Sequence, residues 1–63
     1  MQEIEKSYAR IFSSAPGIMV LNHLRKITIE RVLGANATDA ELRSLEAQRA
    51  LVHQIETLIE RGK

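Results

Sequence analysis

Few side chains in this sequence could do chemistry, and they are scattered. His23 and His53 are its two histidines. They could meet only across a helical hairpin, and two imidazoles without a third protein ligand make a poor zinc site. There is no cysteine, which excludes a thiolate metal site and a disulfide. Ser13 and Ser14 read as turn and cap residues rather than nucleophiles. The one tight Gly-containing turn, Ala15-Pro16-Gly17, lacks the spaced glycines of a nucleotide-binding loop. Carboxylates such as Glu41, Glu46, Glu56 and Glu60 are strung along a helical surface. With no nucleophile motif, phosphate loop or metal-ligand spacing, the expectation is a non-enzymatic protein with no catalytic residue, metal or cofactor.

The other chemistry the sequence offers is charge. Arg25, Lys26 and Arg31, set against Glu30, give the middle of the chain a local positive excess, and Arg49 could extend it. These four residues form a candidate basic face, either a phosphate-contacting surface or an ordinary solvated one. The solvated reading is favoured, because nucleic-acid binders concentrate basic charge and the net charge here is only +1. No aromatic ring interleaves with these cations to stack on bases. A helix-turn-helix fails as well, since the last helical segment is long and acidic rather than short and basic. A nucleic-acid partner is disfavoured.

Two breaks divide the chain into the elements that must carry these residues: Ser13-Ser14-Ala15-Pro16-Gly17 and Gly34-Ala35-Asn36-Ala37-Thr38. Helices are predicted over about 2–13, 15–33 and 38–61, within a single domain 1–63. In the first, Ile4, Tyr8, Ile11 and Phe12 share one face. The second opens with Ser14 as N-cap and Pro16 in its first turn, and Gly34 is placed to close it. Its main stripe is Val20, Leu21, Leu24, Ile27 and Val32, and Ile18, Ile29 and Leu33 lie off it. The β-branched run Ile27-Thr28-Ile29 weakly opposes helix. Thr38-Asp39-Ala40-Glu41 is a capping box that starts the third helix. Leu42, Leu45, Val52, Ile55 and Ile59 line that helix, flanked by Leu51 and Leu58, with most burial expected toward its C-terminal end. Gln48 falls within the stripe, either as a buried polar layer fixing register or as part of an exposed half. A link of about four residues between helices two and three makes them antiparallel neighbours. The fold class is all-α: a short N-terminal helix packed on an antiparallel two-helix hairpin.

Size then points to function. A domain of about 60 residues buries only about 60% of its unfolded surface and usually needs a staple. With disulfides excluded and a histidine metal site poor, self-association or docking on a larger protein is the expected supplement. Ile18, Ile29 and Leu33, together with Leu51 and Leu58, exceed what one antiparallel neighbour can cover. They are the candidate partner-binding residues. No apolar run reaches the ~18 residues of a membrane span, and the polar, acidic start, Met1 to Glu5, is unlike a signal peptide.

Three stretches carry a family likeness: Tyr8-Ala9-Arg10-Ile11-Phe12-Ser13-Ser14-Ala15-Pro16-Gly17; Val20-Leu21 with Leu24-Arg25; and Glu46-Ala47-Gln48-Arg49-Ala50-Leu51-Val52 with Ile55. Together they resemble a family of very small tailed-bacteriophage proteins typified by the nineteenth product of a Bordetella phage. Ala47 departs from a glycine common there, and the family turn places its acidic residue and glycine slightly later than Pro16-Gly17. The resemblance implies a protein encoded among head and portal genes, with no enzymatic activity attached. It implies a virion component or an assembly factor, located in the virion or the host cytoplasm, whose partner is a phage virion protein or a second copy. It supplies no catalytic or ligand residue.

Overall fold

The computed structural model describes residues 2–63; Met1, part of the acidic start, lies outside the described residues. Three helices form: α1 (Gln2–Ser13), α2 (Ala15–Ile27) and α3 (Asp39–Arg61), with no strand among the described residues. The fold is all-α, a short N-terminal helix packed on an antiparallel pair.

Ser14 alone joins α1 to α2 and caps both. Its hydroxyl donates to the Ile11 carbonyl at 2.7 Å and accepts from the Gly17 N–H at 3.2 Å. The corner is tight enough that Gly17 is buried. A Cβ there would collide with the Ile11 carbonyl oxygen and lie 2.9 Å from the Phe12 Cα. A second close approach lies at the other end of α1. Gly62, the C-cap of α3, faces the Glu5 backbone, and a Cβ would lie 3.0 Å from the Ala9 Cβ. Glycine at 17 and at 62 thus lets two helices press directly on the α1 backbone.

The second helix ends at Ile27, six residues before the expected Leu33. Propensity and tertiary bonding act together here. Thr28, in the β-branched run, turns its hydroxyl back to the Leu24 carbonyl at 2.6 Å. The Glu30 N–H then closes on the Arg25 carbonyl at 2.9 Å. From α3, Arg49 donates through Nε to the Thr28 carbonyl at 2.9 Å and through Nη2 to the Arg31 carbonyl. The Thr28 carbonyl accepts from the Arg31 N–H at 3.3 Å as well as from Arg49, so the guanidinium fastens the chain in a turn after Ile27. Ile29, Val32 and Leu33 therefore lie in an irregular link, residues 28–38, far longer than expected. Gly34 is not a helix cap either. It opens a turn closed by the Ala37 N–H to the Gly34 carbonyl at 3.1 Å.

The capping box at the start of α3 is present, with the Glu41 N–H donating to Thr38 Oγ1 at 3.1 Å. α2 runs antiparallel to α3, with Arg25 beside Glu56 and the Thr28 carbonyl beside Arg49. The heaviest packing, however, is α1 on α3; α2 meets α3 least. The buried apolar residues are Ala9, Leu45, Val52 and Ile59. The three on α3 repeat every seven residues, and with Ile55, Glu56 and Leu58 half-buried beside Val52 and Ile59, most of this helix's burial lies in its C-terminal half, as expected. In α1 the apolar face is displaced from the expected one: Ala9 is buried, Tyr8 and Phe12 are half-buried, and Ile4 and Ile11 are exposed.

The outcome is a thin molecule, 42 × 24 × 11 Å, with a thickness of one helix. Its radius of gyration is 13.7 Å, against about 11 Å for a compact chain of this length. Accessible surface is 4925 Å², where a folded monomer of this mass exposes about 4,100 Å². Roughly 800 Å² of surface is therefore in excess.

Candidate functional site

The pockets are shallow and open. An open groove forms where the three helices meet, lined by Phe12, Ile18, Leu21 and Ile59 with Glu60 and Lys63 at its rim. Among the described residues, no group of three or more His, Cys, Asp or Glu side chains converges on a point. His53 lies 3.6 Å from Glu56 on its own helix, and His23 is exposed on α2.

The four residues of the candidate basic face do not present four free charges. The Arg25 guanidinium pairs with Glu56 across the α2–α3 gap. Arg49 holds the two link carbonyls and also pairs with Glu46 at 2.6 Å. Both side chains are more than half covered, at 35% and 28% exposed. Lys26 and Arg31 are exposed and carry no ion pair among the described residues. Two of the four cations are thus committed to the fold. Arg49 was read as a surface charge, and the sequence signal for its other role is slight: an arginine two helical turns before the Glu that meets α2.

The five candidate partner-binding residues divide by position. Ile18 and Leu51 are exposed, at 48% and 58%. Ile29, Leu33 and Leu58 are half-buried, the first two in the link rather than on α2. The sequence reading missed the larger extent of exposed apolar surface: Ile4 and Ile11 on α1, Met19, Val20 and Ile27 on α2, Leu42 on α3, and Val32 at 90% in the link. Several were assigned to the core because the hydrophobic period marks apolar residues without saying which are covered. Gln48 is exposed, so it forms no buried polar layer.

These features define a class: a small all-α protein, three helices in one layer, whose distinctive surface is apolar helix face rather than a chemical pocket. The chain belongs to the Bbp19-like phage protein family, whose sequence profile matches residues 8–60. That span takes in the α1–α2 corner, the link and nearly all of α3. No curated protein and no solved structure matches the chain. No helix among the described residues is long and apolar enough to cross a membrane.

Proposed function

We propose that this phage protein is a non-enzymatic structural or assembly component that binds another virion protein, or itself, through the apolar faces of its helices. One observation carries the reading: the excess of roughly 800 Å² of surface, about one partner's share of a standard protein–protein interface. Exposed aliphatic side chains on all three helices supply what such an interface buries. A domain with so thin a core gains stability from any partner that binds only its folded form. Such a component acts in the virion or, during assembly, in the host cytoplasm.

The test is to exchange the chain in its phage for Ile18→Glu and Leu51→Glu variants, both at exposed positions. Loss of the chain from purified particles, or accumulation of unfinished particles, is expected while far-UV circular dichroism stays native. Variants that assemble and incorporate like the wild type would refute the reading. A nucleic-acid regulator using Arg25, Lys26, Arg31 and Arg49 is the weaker alternative, because two of those cations are already engaged within the chain.

A further inference from the structure

The buried seam of α3, Leu45–Val52–Ile59, leaves a second seam on another side of the same helix. Ala40, Ser44, Ala47, Leu51, Gln54 and Leu58 alternate at spacings of four and three, the period that keeps residues on one line between two paired helices. All are exposed except Leu58, which is half-buried. This face carries no charged side chain along its centre line, and among the described residues no helix covers its middle, Ala47 to Gln54, although the link approaches Ser44.

We infer that a second copy of this chain covers it, with the two α3 helices antiparallel; the inference rests on the reading that the protein binds through apolar helix faces. Turned end for end on itself, the seam is self-complementary in a single register. Ala47 meets Leu51, Ser44 meets Gln54 and Ala40 meets Leu58, each pair occurring twice about the two-fold axis. Small faces large at both apolar levels, and hydroxyl faces amide at the polar one. A parallel pairing would instead set Leu51 on Leu51 and Ala47 on Ala47, leaving alternate bulges and gaps.

Charge favours the same orientation. The first turn of α3 is acidic, with Asp39 and Glu41, and its last turn carries both Glu60 and Arg61. Antiparallel pairing separates the two acidic first turns, sets each beside a last turn in which Arg61 offsets Glu60, and opposes the helix dipoles. Parallel pairing would align like with like. From Ala40 to Leu58 the seam runs about 28 Å, and the whole-molecule excess of roughly 800 Å² equals one partner's share of a dimer interface of ordinary size.

The absence of cysteine allows a direct test on the full chain. Ala47→Cys and Leu51→Cys variants, mixed and oxidised, should cross-link to each other, and neither should cross-link alone. The exchanged pair lies level across the seam, whereas identical positions are offset by about 6 Å along the axis, which carries their Cα atoms to or past the ~7 Å limit for a disulfide. In sedimentation equilibrium, Ala47→Leu should weaken self-association about tenfold by overfilling the seam, whereas Ala47→Leu combined with Leu51→Ala should restore it. Homodimeric disulfides at either position, or failure of the exchanged pair to recover, overturns the antiparallel register. A wild-type chain that stays monomeric to about millimolar concentration overturns self-pairing. If Leu51→Glu still prevents incorporation into particles in that case, the face takes a different virion protein and the broader reading stands. If it does not, both fail.

Discussion

Gly17→Ala opposes two effects whose signs differ, and the structure decides between them. On helix propensity alone, alanine should stabilise α2 by up to about 1 kcal/mol. The structure instead places a position-17 Cβ against backbone: it collides with the Ile11 carbonyl oxygen and lies 2.9 Å from the Phe12 Cα. No rotamer change relieves a backbone collision, so the α1–α2 corner must open. Overfilling a packed contact costs about 1–3 kcal/mol. The same carbonyl is held by the Ser14 hydroxyl, so that cap is strained as well. The net expectation is a loss of about 1–2 kcal/mol, a large share of the roughly 3–9 kcal/mol available to a chain of this length. Thermal unfolding followed by circular dichroism should shift downward by about 5–15 °C. Gly34→Ala is the internal control. Nothing lies within 4 Å of a Cβ there and its φ is not positive, so its midpoint should stay the same or rise slightly. Gly62→Ala should be intermediate, since α3 can fray at its last turn to admit the new methyl group. A Gly17→Ala midpoint equal to or above wild type would show that α1 and α2 do not meet as described.

Arg49→Lys keeps the charge but cannot reproduce a guanidinium fork that reaches two carbonyls. It should cost about 1–2 kcal/mol and speed amide hydrogen exchange selectively over residues 28–33. Unchanged protection there would remove Arg49's role in ending α2. Thr38→Ala removes the capping box and should cost about 1 kcal/mol in chemical denaturation, whereas Thr57→Ala, mid-helix and exposed, should leave stability nearly unaltered. In any binding to duplex DNA, Lys26→Ala and Arg31→Ala should each flatten the log–log salt slope by about 1, whereas Arg25→Ala and Arg49→Ala should leave it nearly unchanged. Equal flattening by the latter pair would mean that Arg25 and Arg49 leave their internal partners to meet phosphate.

The helix starts were legible in the sequence because capping is local chemistry. Ser14 and Thr38 each reach a backbone N–H three residues on, and no distant residue can alter that reading. The end of α2 was not legible. Its apolar spacing continues to Leu33, and the residue that captures the Thr28 and Arg31 carbonyls stands in another helix. Gly62 stands at the end of α3 as its sequence position indicates, whereas Gly17, which reads as part of a turn, lies in the first turn of α2. That each also admits the α1 backbone depends on the tertiary path. The interaction surface was partly legible: Ile18 and Leu51 are exposed, but Ile4, Ile11 and Val20 had been given to the core. A periodic apolar pattern shows that a face needs covering, and in a molecule one helix thick it cannot show whether this chain does so.

A thickness of 11 Å also fixes how the protein should appear in a calorimeter. Folded monomers of ordinary compactness gain about 12–15 cal/mol/K of heat capacity per residue on unfolding, driven by the apolar area newly wetted. Much of this chain's apolar area is wet before unfolding begins, so the heat-capacity step of the isolated chain should fall below that range. The missing part should reappear as a negative heat-capacity change when its helix faces are covered, dividing between two measurable steps a signature that most domains display in one.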